Sequence, residues 1–379
     1  VTPACVDDYR LLAQKRLPRV MFDYIDGGSY AEATLRRNVA DFETIALRQR
    51  VLRDVSTITL TTELFGQSMA MPVALAPIGM AGMYARRGEV QAMKAARAAG
   101  LPMCLSTVSV CDLEEVTRDG GAPPWFQLYM IRDRGYMAAL LQKAADLGSP
   151  VLVFTVDLPV PGARYRDYRT GLFGNAGPFT GLKRAWDGLT HPDWLVDVQL
   201  RGGPHSFGNI AAAIPDAKGI MEFWPWVTRN FDPTLTWQDL DWVRQHWKGP
   251  IVLKGVLDPE DARQAVACGM DGLVVSNHGG RQLDGVLSGV AALPPIVQAV
   301  GDDLTVLMDG GIRSGLDVVK ALALGAKGVL IGRAWAWALG ARGEAGVAHM
   351  LSVIRQEMMM AMALTGCTDV RTAGPHLLA

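Results

Sequence analysis

From residue 70 onward the sequence repeats one pattern: a short apolar run, a polar or glycine-containing loop, then an amphipathic stretch. The runs are MPVALAP, LPMCLST, PWFQLY, VLVFTVD, GPIVLKG, GLVVSN, LTVLMDGG and GVLIGR. Runs so continuously apolar read as strands buried on both faces, as in a parallel sheet. The stretches between most of them carry helix signals. GEVQAMKAARAAG has helical spacing and stops at Gly100. DPEDARQAVACG opens with Asp258 as N-cap and Pro259 as first helical residue, and stops at Gly269. SGLDVVKALALG opens at Ser314 and stops at Gly325. Eight such units predict an α/β chain folded as a (β/α)₈ TIM barrel, whose usual size of roughly 250 residues leaves room for additions. The alternative is an open doubly wound sheet, which usually brings a GxGxxG turn. Neither that turn nor a P-loop is present.

Two additions are expected on a single domain spanning residues 1–379. One is an N-terminal helical segment, VDDYRLLAQKRLPRVMFDYIDGG, packed on the barrel. The other is an insertion at 172–233, after strand 4, rich in Gly and Pro and holding Trp186, Trp194, Trp224 and Trp226. An insertion that long between a strand and its helix usually carries function or is disordered.

Composition narrows the function classes. Lys+Arg is 37 against 38 for Asp+Glu, so no charge excess points to nucleic acid. The cysteines, Cys5, Cys104, Cys111, Cys268 and Cys367, are odd in number and form no CxxC pair. Reduced thiols in a cytoplasmic setting are expected, with neither disulfides nor zinc. No run is long enough to span a bilayer, and VTPACVDDYR lacks the pattern of a signal peptide.

In such a barrel the active site lies at the C-terminal ends of the strands. The predicted ends deliver Pro77, Ile78 and Gly79; Ser106 and Thr107; Gln127 and Tyr129; Thr155 and Asp157, with Arg164 after; Lys254; Ser276, His278 and Arg281; Asp309 to Arg313; and Gly332 with Arg333. Strands emerging into water account for scattered Ser, Asn and Asp. They do not account for a lysine, a histidine and several arginines beside buried strands, where charge is costly without a partner. DGGIR and IGR follow strands 7 and 8, the usual phosphate loops of this fold. Their glycines open the backbone N–H groups, and Arg313 and Arg333 can pair with a phosphate. Lys254 fits a Schiff base, a phosphate partner or a cation facing a developing anion, and the residues alone do not choose. Of the six histidines only His278 follows a buried strand. With no second histidine at ligand spacing, a general base is the better reading than a metal ligand. Asp157 can support its imidazolium. Arg164 and Arg281 suit a carboxylate substrate.

The assembled motifs resemble the FMN-dependent α-hydroxy acid dehydrogenase/oxidase family. SNHGGRQ at Ser276 to Gln282 matches the family signature S-N-H-G-[AG]-R-Q, and FDYIDGG, WFQLY, VLKG and DGGIRSGLDVVKALALGA extend the likeness over essentially the whole chain. GMYARRGEVQA, LSTVSVC and PGARYRD are most similar to its bacterial respiratory, quinone-linked L-lactate dehydrogenase members. The resemblance implies FMN. It implies contacts to FMN from Pro77, Ile78, Gly79, Ser106, Gln127, Thr155, Lys254, Ser276, Asp309, Gly311, Arg313, Gly332 and Arg333, with Lys254 at the flavin N1/O2 edge. It implies Tyr24 and Arg281 on the substrate carboxylate with Arg164 nearby, Tyr129 on the hydroxyl, His278 as base and Asp157 behind it. Gly79 stands where flavin oxidases often have Ala, which resembles the dehydrogenase members, whose reaction with oxygen is poor. Val108 replaces the bulky Trp of plant glycolate oxidases and opens the substrate pocket.

The expected reaction is oxidation of an L-2-hydroxy acid, L-lactate first, with electrons passed to a quinone or other membrane acceptor. A hydroxy acid oxidase or mandelate dehydrogenase is the nearest alternative, and an isopentenyl diphosphate isomerase-like barrel a distant one. A homotetramer is implied by resemblance. So is peripheral association with the inner face of the cell membrane, because membrane-associated members bind through the inserted segment. GIMEFWPWVTRNF is aromatic and amphipathic enough for that role. A lid or an oligomer contact is the competing reading of those aromatics.

Overall fold

A computed structural model describes residues 2–172, 179–213, 226–227 and 229–379. The eight apolar runs form eight parallel strands: β3 (Val73–Leu75), β4 (Cys104–Ser106), β5 (Trp125–Leu128), β6 (Leu152–Thr155), β7 (Ile251–Val256), β8 (Gly272–Val275), β9 (Thr305–Asp309) and β10 (Gly328–Ile331). They pair in the order β3-β10-β9-β8-β7-β6-β5-β4. A bridge from Leu75 to Met103 brings β3 against the start of β4, and Leu75 N–H donates to Pro102 O at 3.0 Å. The sheet thus closes as the TIM barrel expected.

Successive strand residues point to opposite faces. One set, including Ala74, Cys104, Trp125, Val153, Val252, Val274, Leu307 and Leu330, packs as its own apolar cluster inside the barrel. The alternate set, including Leu75, Leu105, Phe126, Phe154, Leu253, Val275 and Met308, packs outward in the larger core. A hairpin, β1 (Thr62–Leu64) and β2 (Gln67–Met69), joins the inner cluster. Its two turn residues, Phe65 and Gly66, are both left-handed, as a two-residue type I′ turn requires. Phe65 meets Trp125 edge-on at 5.8 Å, and Trp125 Nε1 donates to Gln67 Oε1 at 2.7 Å.

The N-terminal helical segment differs from the single stretch read in the sequence. It forms two helices, Val6–Arg16 and Arg19–Asp26. Pro18 is the break: it cannot supply the helical N–H, and it drives Leu17 to an extended conformation. The first helix packs on the C-terminal segment Arg333–Thr365, two helical stretches separated by a break at Arg342 and Gly343, with Tyr9 Oη 2.7 Å from His349 Nδ1.

Within the insertion, helix Thr180–Leu189 is followed by a short segment that folds back against the barrel. Trp194 is buried and donates to Met83 O at 2.8 Å. Asn209 reaches Ser106 O and Ser109 Oγ at 3.2 and 2.9 Å. Trp224 and most of GIMEFWPWV lie outside the described residues; Trp226, Val227 and Phe231 are buried.

Candidate active site

Two-residue alternation decides which side chains reach the rim. The inner-facing series continues upward from Cys104 to Ser106, Trp125 to Gln127, Val153 to Thr155, Val252 to Lys254, Val274 to Ser276, Leu307 to Asp309 and Leu330 to Gly332. Polar side chains therefore crown the apolar interior on six strands, with Gly332 at the rim of a seventh. Above them opens a cavity. Its walls include Pro77, Ile78, Gly79, Val108, Tyr129, Thr155, Lys254, His278, Arg281, Asp309, Gly311, Arg313, Gly332 and Arg333, with Tyr24 from the N-terminal segment and Arg164 from the loop after β6. Asp157, Ser106, Gln127 and Ser276 stand one layer behind the wall. Ser106 Oγ donates to Gln127 Oε1 at 3.1 Å, and Ser276 Oγ accepts from both Lys254 Nζ and His278 N–H at 3.0 Å.

The loop after β8 turns through three consecutive left-handed residues, His278, Gly279 and Gly280. Side chains are excluded at the glycines: a Cβ on Gly279 would lie 2.6 Å from Arg333 Nη1, and one on Gly280 2.6 Å from Leu35 N. The turn points both His278 and Arg281 into the cavity. His278 Nδ1 lies 2.9 and 3.2 Å from the two Asp157 oxygens. An ionised carboxylate only accepts, so Nδ1 carries the proton and Nε2 is the free acceptor. Nε2 lies 3.4 Å from Tyr129 Oη. Burial pushes the Asp157 carboxyl up, but His278 and then Lys254 outweigh it and hold the group below its ordinary value. Asp157 fits there because Gly255, itself left-handed, has no Cβ; one would lie 2.5 Å from Asp157 Cβ.

On the other side of His278, Tyr24 lies between two arginines. The Arg281 guanidinium is 4.7 Å from its ring centroid and that of Arg164 5.6 Å. Both are cation–π distances. Arg281 Nη1 donates to the carbonyls of Tyr24 and Gly27. Burial, reinforced by Arg281, pushes Arg164 below its ordinary value. Such a pair lowers its own cost by binding a carboxylate. Val108 Cγ2 would lie 2.7 Å from a Cβ on Gly79, so these two residues fill one corner together.

The remaining walls fit a flat, polar, phosphorylated group. Gln127 Nε2, Thr155 Oγ1 and Asp309 Oδ1 are buried without hydrogen-bond partners, all on inner-facing strand ends. Buried polar atoms are rarely left so. Lys254 Nζ pairs with Asp309 Oδ2 at 2.8 Å; burial pulls Lys254 down, yet Asp309 and Asp157 keep it above its ordinary value and charged. Gly310 and Gly311 are left-handed, and a Cβ on Gly311 would run into Asn38 O. Arg313 lies over Trp337 at 4.7 Å, with burial lowering its guanidinium to about 10. Arg333 is largely committed to the protein: it donates to the carbonyls of Gly27, Gly279 and Asp26 at 2.7, 2.8 and 3.3 Å. It reaches the cavity wall but also braces the loop after β8, a second duty that the IGR motif did not signal. Among the described residues no cluster has the composition of a metal site.

Several supporting residues escape sequence reasoning. Asn38 and Asn277 exchange side-chain amide hydrogen bonds at 2.9 and 2.7 Å, tying the loop after β8 to the third N-terminal helix, Ala33–Glu43. Gln282 donates to Asp157 O at 2.7 Å and accepts from Gly162 N–H at 3.1 Å, tying it to the loop after β6. Asn277 and Gln282 belong to the SNHGGRQ motif, so a signal for them existed. Asn38 had none.

The model for FMN-dependent dehydrogenases matches residues 13–379. An L-lactate dehydrogenase of Caulobacter sp. (strain K31) is 59% identical over 98% of this chain and 97% of its own length. One from Pseudomonas syringae pv. syringae (strain B728a) is 55% identical over 98% and 97%. Among solved structures, a monotopic membrane protein, (S)-mandelate dehydrogenase, superposes with a TM-score of 0.93 at 35% identity, covering 100% of both chains. A mandelate oxidase gives 0.84 at 39%, covering 100% of this chain and 98% of its own. The cofactor walls, the His278–Asp157 pair and this full-length similarity lead to one family: the chain belongs to the FMN-dependent dehydrogenases and is an FMN enzyme that oxidises 2-hydroxy acids.

Proposed function

We propose that the chain oxidises L-lactate to pyruvate and passes the electrons to a quinone or another membrane acceptor. The observation that carries this is the line Asp157–His278–Tyr129 beside the Arg281–Arg164 pair. It sets a base, a hydroxyl partner and a carboxylate pocket around one small space. An isomerase acting on a diphosphate has no need of that set. Similarity favours lactate, since relatives bearing that name are 55 to 59% identical and the mandelate enzymes 35 to 39%. Mandelate is the second reading, favoured by the 0.93 superposition.

FMN, when bound, supplies the two-electron acceptor. Pro77 to Gly79, Ser106, Gln127, Thr155, Ser276 and Asp309 would hold its ring system, and Gly311, Arg313, Gly332 and Arg333 its phosphate. Lys254, kept charged by Asp309, would place a fixed positive charge beside that ring system. Arg281, Arg164 and Tyr24 orient the carboxylate, and Val108 leaves room for the substrate's side chain. Tyr129 donates to or accepts from the substrate hydroxyl. His278 Nε2 takes one proton: from the hydroxyl as C2–H leaves with its electron pair, or from C2 ahead of electron transfer. Asp157 stabilises the resulting imidazolium.

We read residues 1–379 as one domain, assembled as a homotetramer and held at the inner face of the membrane. Among the described residues no helix is long and apolar enough to cross a bilayer. Helix Thr180–Leu189 supports surface attachment: Leu182, Trp186 and Leu189 lie on one side at helical spacing and are 72, 68 and 62% exposed. The test is anaerobic. The yellow protein should bleach with L-lactate; if no 2-hydroxy acid bleaches it, the proposal is wrong.

A further inference from the structure

Behind Arg164 lies a carboxylate that the reaction does not use. Asp167, on helix Tyr165–Thr170, is 1% exposed. Its Oδ2 is 3.6 Å from Arg164 Nη1 and accepts no hydrogen bond. At that separation the contact is a meeting of charges, not an orienting hydrogen bond. The other charged and titratable groups facing Asp167 come from every element packed on it. They are Arg166 on its own helix, Asp23 on helix Arg19–Asp26, Arg281 after β8 and Tyr84 after β3.

The charges can be counted. Arg164 and Arg281 bring two positive charges to the pocket, and Asp167 removes one. A bound carboxylate then brings this set to neutrality. Without Asp167 the pocket would be more positive by one net charge. It would grip substrate and product alike, because both are carboxylates, and uniform binding adds nothing to turnover.

We propose that Asp167 is a positioning residue that acts through Arg164 to weaken the pocket's hold on carboxylates, so that the 2-oxo acid leaves. This rests on the 2-hydroxy acid reading above. A unit charge on the far side of one guanidinium, at an effective dielectric of about 20, is enough for roughly five- to tenfold in affinity. Burial raises the Asp167 carboxyl to about 6, against the pull of Arg164 and Arg281. The counter-charge is therefore present above about pH 6 and lost below it.

The test uses holoenzyme carrying Asp167→Asn, with pyruvate binding read from the flavin absorbance. The Kd for pyruvate and the KM for L-lactate should fall together, roughly five- to tenfold, while kcat does not rise. Asp167→Glu should restore the parent values. In a His278→Gln background, which removes the imidazole from the titration, the pyruvate Kd should rise with pH through about 6. Adding Asp167→Asn should flatten that profile. An unchanged or higher Kd in Asp167→Asn, or a flat profile with Asp167 present, overturns the proposal. If Asp167→Asn does not retain flavin, the pH series alone decides. A parent enzyme that neither bleaches with L-lactate nor binds pyruvate brings down both readings. A parent that does both, beside an indifferent Asp167→Asn, brings down this one alone.

Discussion

Replacing Asp157 with Asn removes one charge and almost no volume, which makes it a sharp test of the proposal that His278 is the base. The two Asp157 oxygens lie 2.9 and 3.2 Å from His278 Nδ1. Once Nε2 has taken the substrate's proton, that contact becomes an ion pair. A contact pair at an effective dielectric of about 20 is worth roughly 4 kcal/mol. The side chains are 21 and 12% exposed, so water screens part of it, and Asn retains a hydrogen bond. About 2–3 kcal/mol of stabilisation should be lost, raising the barrier by that amount and slowing the reaction by roughly two orders of magnitude. The loss grows if the amide turns its NH₂ toward Nδ1, because the ring proton then moves to Nε2 and the base is blocked. The assay is anaerobic stopped-flow bleaching of the flavin by L-lactate. Flavin content should be retained and KM should change little, since Arg281 and Arg164 are untouched. Reduction within about threefold of the parent rate would refute the imidazolium argument.

Three further substitutions probe the rest of the site. His278→Ala should keep its flavin and lose reduction by L-lactate by at least roughly a thousandfold, and retained turnover would remove His278 as the base. Arg281→Met should raise KM and slow turnover together, because Arg281 both faces the cavity and ties down the carbonyls of Tyr24 and Gly27; an unchanged KM excludes the carboxylate role. Gly79→Ala places a Cβ 2.7 Å from Val108 Cγ2, so Val108 must give way and the corner of the cavity changes shape. Peroxide yield under air should rise if glycine there suppresses oxygen reactivity, and an unchanged yield counts against it.

The parts of this site that could be read from sequence follow from one physical regularity. Strand residues alternate in direction, so a buried apolar run that ends in polar residues announces which of them reach the barrel mouth. Thr155, Lys254 and Asp309 were legible in that way, each two positions beyond an interior residue. The helix boundaries at Asp258 and Ser314 were legible because capping is local: each side chain accepts the N–H of a residue two or three positions on. Contacts made across the chain leave no local trace. Asn38 and Asn277 are 239 positions apart, and Asp26 and Arg333 are 307 apart. Within helix Arg19–Asp26 the family resemblance marks Tyr24 alone for the site, and nothing local in the sequence assigns a part to Asp26 at its end.

That helix and its end have a larger part than packing. Asp26 is buried and accepts from Arg10 at 2.6 Å and Arg166 at 2.8 Å. Burial pushes its carboxyl up, but the two arginines outweigh that and keep it ionised, below its ordinary value. So anchored, the turn after Asp26 presents its carbonyls to the barrel mouth. The Gly27 carbonyl accepts from Arg281 Nη1 at 3.1 Å and from Arg333 Nη2 at 2.7 Å. One oxygen thus braces both Arg281 and Arg333, the arginines proposed for the carboxylate and the phosphate. Arg333 in turn donates to Gly279 O, within the left-handed turn that aims His278. A barrel alone places side chains at its rim but does not fix long, charged ones there, since each guanidinium needs its spare N–H groups satisfied. The segment before the barrel supplies those acceptors, and without it Arg281 and Arg333 would have the right positions in sequence and no defined direction in space.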